Sequence, residues 1–300
     1  LEDNFNPNDL CWSKTYKKSQ AVPTIPSWSV KNKATQETST LQLTWANKDK
    51  VTSVTLKTCD PTITSLNLAF LHGMYGLEYV DISGLCNITH LGVTFIGGIS
   101  RTQTESQEFA DGFSKLKQVD LSSLSNVTSI DGDFMYNCTG LEKIDISPLY
   151  NIPDLGEYFL QRCINIEEVN FSNMVNIKTI SRRFMHYCTK LKKVDLSQAK
   201  KLLNTNAIYP GFVQDCPNIT EVNLGSIKAA VFAADQYNNV ADFSFALYGQ
   251  FTQGASQPAY VNGILIKGDY ASDIVSKFGE IKGTVPSGQS YKVWRKLKTS

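Results

Sequence analysis

The chain of 300 residues has little of what catalysis draws on. Histidine occurs three times. The seven cysteines are odd in number and contain no Cys-x-x-Cys spacing, which argues against a full disulfide framework and a zinc ribbon. The nucleophile elbow, the zincin helix, the P-loop and the dinucleotide-binding glycine fingerprint are all missing. Charge of one sign is also missing: 29 Lys plus Arg stand against 28 Asp plus Glu, a net charge of +1. Nothing in that balance recommends nucleic acid or an anionic membrane as partner. No apolar run approaches the roughly 20 residues of a membrane-spanning helix. With 42% apolar and 19% charged residues the chain is nevertheless too apolar for a disordered one. Its length suits one elongated domain or two globular ones.

What is there is a repeat. Phe134–Leu155 (FMYNCTGLEKIDISPLYNIPDL), Phe159–Ile180 (FLQRCINIEEVNFSNMVNIKTI) and Phe184–Leu202 (FMHYCTKLKKVDLSQAKKL) superimpose, and successive copies start 25 residues apart. Phe212 opens another copy, Phe109 and Phe70 open earlier ones, and a degenerate first copy lies at Val51, Val54 and Leu56, making seven turns. Such self-similarity is the signature of a solenoid. The columns Val80, Val119, Ile144, Val169, Val194, Val222 and Ile82, Leu121, Ile146, Phe171, Leu196, Leu224 place apolar residues at i and i+2. That spacing predicts a short strand with one buried face, stacked in parallel about 5 Å per rung. Further columns at spacings of three (Leu149, Ile152, Leu155) predict a return through short irregular turns, with a phenylalanine column closing the far wall.

This frame, with phenylalanine and cysteine on the return, resembles leucine-rich repeats, and most closely the BspA-like subclass of treponemal and Bacteroides surface antigens. The resemblance covers residues 41–227. The repeat is longer than is usual there, and the proline usual after the strand occurs only at Pro148. It implies an α/β-type solenoid, mostly β and irregular: a right-handed leucine-rich-repeat stack with a parallel sheet on the concave face and a C-terminal cap. It further implies a non-catalytic, secreted or bacterial cell-surface chain with a lipid anchor upstream. The implied work is protein–protein interaction or adhesion, with glycan capture for a polysaccharide-uptake system as the alternative. The expected partner is a macromolecule, a protein first, then a host or extracellular-matrix component or a glycan; no cofactor is expected.

Outside the repeats, residues 1–40 read as a linker or as a strip covering the first turn. Residues 228–300 read as a cap, with a hairpin at Val261-Asn262-Gly263-Ile264 and a short helix at Ala271–Phe278. Leu91 to Phe109 is eighteen residues where four is the rule (Leu155 to Phe159), so residues 92–108 read as an insertion, with Gly97-Gly98 turning a projecting hairpin. Phe95, Ile96, Ile99 and Arg101 are its candidate binding residues, since long loops in compact repeats are often functional.

Cys138, Cys163, Cys188 and Cys216 share a column with Met74 and Phe113. A position that accepts Met and Phe selects an apolar side chain, so packing rather than metal or redox chemistry is expected. His186, two residues from Cys188, is expected to face outward, with no third group to make it a general base. Asp131-Gly132-Asp133 reads as a turn rather than a calcium loop. Five Asn-x-Ser/Thr sequons occur, at Asn87, Asn126, Asn137, Asn170 and Asn218; Asn87 and Asn126 share a turn column with Asn151 and Asn176, where backbone bonding is expected. The strongest candidate surface is the exposed face of the sheet. Its first column is Tyr79, Gln118, Lys143, Glu168, Lys193, Glu221, and its second is Asp81, Asp120, Asp145, Asn170, Asp195, Asn223. Stacked aspartates repel, and the Lys–Glu alternation beside them offsets this in part.

Overall fold

The computed structural model describes residues 52–55, 64–66, 70–71, 74–97, 112–209, 211–213, 216, 218–233, 264–278 and 297–299, together with the backbone of strands at 10–13, 27–32 and 38–42. In chain order the strands are β1 (Leu10–Ser13), β2 (Ser27–Asn32), β3 (Thr38–Gln42), β4 (Ser53–Thr55), β5 (Ser65–Leu66), β6 (Tyr79–Asp81), β7 (His90–Leu91), β8 (Gln118–Asp120), β9 (Ser129–Ile130), β10 (Lys143–Asp145), β11 (Glu168–Asn170), β12 (Lys193–Asp195), β13 (Glu221–Asn223), β14 (Ile264–Lys267) and β15 (Leu297–Lys298). Strands β1 to β3 form an antiparallel meander, and β1 runs close beside β4, the first rung of the stack.

From β4 onward every strand pairing among the described residues is parallel. The front wall joins β4, β6 and β8, then β10 and β11, then β12 through β15. The rear wall joins β5, β7 and β9 and continues through the bridges Asp154–Thr179, Ile180–Ile208 and Ile208–Phe232. Register follows the sequence columns: Val80 pairs with Val119, Ile144 with Val169, and Val194 with Val222. Between the walls lie the fully buried aliphatic columns, such as Leu141, Ile166 and Leu191. A one-residue slip would turn these columns outward, which is why the register is fixed.

The third side of each rung is a turn of unusual backbone. In three successive rungs every second residue has positive φ: Asp133, Met135, Asn137; Tyr158, Leu160, Arg162; Arg183, Met185, Tyr187. The amides at these positions bond to neighbouring rungs in alternate directions. Asp133 N donates forward to Glu157 O (2.8 Å), Met135 N backward to Phe95 O (2.9 Å), and Asn137 N forward to Gln161 O (2.8 Å). Tyr158, Leu160 and Arg162 repeat the pattern with Arg182, Phe134 and His186. A left-handed non-glycine residue costs about 1–3 kcal/mol. Only the inter-rung bonds, about 1 kcal/mol each net, and the packing beneath hold it.

That packing is a phenylalanine spine. Phe70, Phe95, Phe134, Phe159, Phe184 and Phe212 stack face to face with centroids 4.8–5.7 Å apart. Phe232 and then Phe278, on the helix Ala271–Phe278, close the series edge-on.

Two sequence expectations are corrected here. Phe95 occupies the spine on its rung, four residues after Leu91 as Phe159 follows Leu155, where the sequence frame starts the copy at Phe109. Phe95 and Ile96 are both fully buried, so they are core rather than tips of a projecting hairpin. Phe109, Ile99 and Arg101 lie outside the described residues. The excursion therefore falls after the phenylalanine, between Gly97 and Phe113. Phe113 keeps its place in the cysteine column, fully buried with Tyr75 edge-on at 5.3 Å.

The second correction concerns the C-terminal region. β14 pairs in parallel with β13 on one side and with β15 on the other. Both its edges are taken, so no hairpin arm lies against Ile264–Lys267; Asn262 and Gly263 themselves lie outside the described residues. Ile264 and Ile266 are each 1% exposed. Continuing the core columns outweighs the local turn preference of Asn-Gly.

Candidate functional site

The front wall carries one outward residue per strand at each of two columns. Tyr79 pairs with Gln118, Lys143 with Glu168, and Lys193 with Glu221. Lys143 Nζ stands 3.6 Å from Glu168 Oε2 and Lys193 Nζ 3.7 Å from Glu221 Oε2. Lys267 on β14 adds a second cation to Glu221 at 3.0 Å. Just before this column, Lys192 Nζ meets Glu167 Oε2 at 2.6 Å, and that hydrogen bond and charge hold the Glu167 carboxyl below its usual value. Exposed pairs of this kind contribute about 0–1 kcal/mol each, so the column is a charge pattern more than a stabilising one. At the other end of the wall, partial burial and the carboxylates of Asp81 and Asp120 push the Tyr79 phenol up, keeping it protonated.

The second column is built into the fold. Asp81, Asp120, Asp145 and Asp195 each accept the amide of the serine two residues on, at 2.8–2.9 Å. Asn170 and Asn223 do the same for Ser172 and Gly225. These are Asx turns that end each strand. The asparagines also answer the repulsion along the column: Asn170 Nδ2 donates to Asp145 Oδ1 (2.9 Å) and Asn223 Nδ2 to Asp195 Oδ2 (3.1 Å). At Asp195 burial opposes ionisation, but the hydrogen bonds from Ser197 and Asn223 and the charge of Lys267 together win, and its carboxyl lies below the ordinary value.

The cysteines also have a structural partner. Cys138, Cys163, Cys188 and Cys216 are free and fully buried. Their thiols donate to the carbonyls of Ile96, Met135, Leu160 and Met185 at 3.0–3.3 Å. Each of those carbonyls belongs to a positive-φ residue one rung back. Cysteine suits the column because it is small, apolar and a weak donor. Burial pushes the thiols of Cys138 and Cys188 well up, so both stay protonated and poorly nucleophilic. Cys86, by contrast, is disulfide-bonded.

The asparagine corner forms as expected at three positions. Asn126, Asn151 and Asn176 donate to the carbonyls of Cys86, Ser125 and Tyr150. His186 does not face outward: it is 6% exposed, in one column with buried Tyr136 and Gln161. The alternating backbone hand breaks the two-residue in–out rule on which the outward reading rests.

A constellation missed on sequence lies on the rear wall. His90 Nδ1 is 2.8 Å from Ser129 Oγ and Nε2 is 3.1 Å from Asp131 Oδ2. Ser, His and Asp in contact invite a triad reading, and the parallel pairing of His90 with Ser129 is the signal that would have found it. The site is a poor nucleophile centre. It is open to solvent, and the amides of Thr128 and Asp131 are committed to the carbonyls of Thr89 and Leu91, so they form no oxyanion hole. The trio clamps two rungs together. Among the described residues no group of three or more His, Cys, Asp or Glu side chains is placed to hold a metal, and no helix is long and apolar enough to cross a membrane.

Parallel strands stacked once per repeat, leucine and isoleucine columns between two walls and a return through short turns define a leucine-rich-repeat solenoid. Residues 102–239 match the family model of the BspA type leucine-rich repeat region in six copies. No curated protein and no solved structure matches the chain. Repeats of this type are protein-interaction domains and generally non-catalytic, and the family is typically surface-associated in bacteria.

Proposed function

We propose that the chain is a non-catalytic, secreted or cell-surface module that captures a protein partner on the front wall, centred on Lys143, Glu168, Lys193 and Glu221. The observation that carries this reading is a division of labour between the two columns. The aspartate column is consumed by the Asx turns of the fold, whereas Lys143, Glu168 and Lys193 beside it are exposed, weakly paired and open to re-pairing by a partner, and Glu221, half-buried between Lys193 and Lys267, anchors the end of the row. A rigid sheet presents them at fixed spacing, so little ordering entropy is lost on docking. The disulfide at Cys86 supports an oxidising compartment outside the cytosol. Adhesion to a host or matrix protein fits this reading better than glycan capture on the same wall, because Tyr79 is the one aromatic side chain in its two columns.

The test is charge reversal. The variant Lys143→Glu, Glu168→Lys, Lys193→Glu leaves the buried columns intact, so its melting curve should match the wild type. Both proteins, immobilised, are offered a panel of extracellular-matrix proteins by biolayer interferometry. A partner held by the front wall is lost or weakened in the variant, and its residual binding is less salt-sensitive. A partner that binds both proteins equally well defeats the proposal.

A further inference from the structure

The face formed by the phenylalanine turns has a chemistry unlike the front wall. The whole chain contains five arginines, and three of them, Arg162, Arg182 and Arg183, sit on two adjacent rungs of this face. One rung reads Tyr158-Phe-Leu-Gln-Arg162 and the next Arg183-Phe-Met-His-Tyr187, so the two ends are exchanged. Because the rungs stack in register, the exchange produces two crossed cation–π pairs. Arg183 Cζ lies 5.7 Å from the Tyr158 ring centroid and Arg162 Cζ 5.4 Å from that of Tyr187. Arg162 is nearly buried. Arg182 and Arg183 are exposed, and among the described residues neither makes an ion pair, unlike the lysines of the front wall. Tyr187 is 38% exposed, and Tyr209, on the following rung, 40%.

We propose that this face is a second binding site, for an acidic glycan. Tyrosine rings offer flat apolar faces to the C–H faces of sugar rings, and exposed guanidinium groups beside them match carboxylate or sulfate groups bidentately. Together they favour one ligand over simpler ones: a neutral glycan leaves the charge of Arg182 and Arg183 unanswered, and a carboxylate-rich peptide brings no flat C–H face to the tyrosines. Of the neighbouring carboxylates, Asp154 is already bound by Gly156 N and Ser181 Oγ; a nucleic-acid strand, a polyanion whose bases would stack on the same rings, is separated by the experiment below. The platform is preformed, since Tyr158 and Arg162 are fixed through their amides to Arg182 O and His186 O.

The experiment is calorimetric titration of the full chain with a heparin-derived oligosaccharide and a polygalacturonate oligomer. A neutral glucan oligomer, a polyglutamate peptide and a single-stranded oligonucleotide serve as comparisons. Saturable binding of a sulfated or uronate glycan is expected, tighter than any comparison ligand. The double variant Arg182→Ala, Arg183→Ala should weaken it at least about tenfold, the loss of one or two charge-assisted hydrogen bonds. Tyr187→Leu should weaken it several-fold and, through the lost contact with Arg162, lower the melting midpoint slightly. The front-wall charge reversal should leave it unaltered, which separates failure here from failure of the protein-binding reading. The proposal is overturned if neither acidic glycan binds, if the neutral glucan, the peptide or the oligonucleotide binds as tightly, or if the double arginine variant binds like the wild type.

Discussion

Replacing Phe95 by alanine tests the assignment of the spine. Phe95 is fully buried and stacks on Phe70 at 5.7 Å and on Phe134 at 5.4 Å. Phe-to-Ala truncation at such a site costs about 3–5 kcal/mol in lost transfer energy and residual cavity. Two aromatic contacts of about 0.5–1.5 kcal/mol each place the expectation at the upper part of that range. Phe95→Leu keeps most of the volume and loses the stacking, so about 1–3 kcal/mol is expected. Phe159→Ala is the internal standard, because Phe159 has the same burial and stacks on Phe134 and Phe184 at 4.8 and 5.7 Å. Urea denaturation followed by circular dichroism gives the global cost. Hydrogen exchange at Met135, whose amide donates to Phe95 O, reports whether the loss is local. If Phe95→Ala stays within about 0.5 kcal/mol of wild type, as a surface change does, while Phe159→Ala costs several, then Phe95 is not in the spine and the frame drawn through it is wrong.

Cys163→Ala should cost about 1–2 kcal/mol, through a small cavity and the stranded Met135 carbonyl, while thiol titration of the unfolded protein finds Cys163 reduced; stoichiometric zinc in the native protein would contradict the packing role. Asn170→Asp replaces a donor to Asp145 by a fifth carboxylate in the column and should destabilise by about 1–2 kcal/mol at pH 7. That penalty should fade as pH drops below about 5 and the added group protonates; a pH-independent penalty would point to packing instead. For the wild type the sign is opposite. Asp195 and Glu167 have lowered folded values, so their contribution is complete above the ordinary carboxylate range near pH 4 and is lost as pH falls through those lowered values, read as a falling urea midpoint. Truncation after Ile227 removes β14 and β15 and uncovers Val222 and Leu224. Aggregation or loss of cooperative unfolding is expected, and a soluble fragment with an unchanged melting curve would refute it.

The front wall was legible in the sequence because its period is two and its burial one-sided. Lys143 facing Glu168 and Lys193 facing Glu221 follow from column counting alone. The spine was legible except on one rung. There Phe95 and Phe109 each fit one half of the frame, Phe95 through its distance from Leu91 and Phe109 through its distance from Phe113, and counting does not decide between them. Stacking does. The turn face was not legible. Its positive-φ positions hold Asp133, Tyr158 and Arg183, or Met135, Leu160 and Met185; only Gly211 at the end of the first column, with Asp133 and Asn137, is of a type that suits the left-handed region. Backbone strain imposed by neighbours leaves no mark on composition. The crossed Tyr–Arg pairs sit on that face, and their exchange of ends shows only once the rungs are stacked. Lys267 was missed for a related reason: β14 follows thirty residues that keep no period, so nothing in the spacing announces another rung.

The left-handed turns also have a mechanical consequence. The ladder bonds of the walls and of the turn face all run from rung to rung, along the stack axis. A load along that axis meets the rungs in series and should peel them one at a time from an end. A load across the axis meets the bonds of several rungs together and must break them at once. A rung that has lost a neighbour has also lost bonds that held its left-handed residues, so each detachment weakens the next. The weakest rung, rather than the summed strength of the stack, should then set how long the domain survives an axial pull.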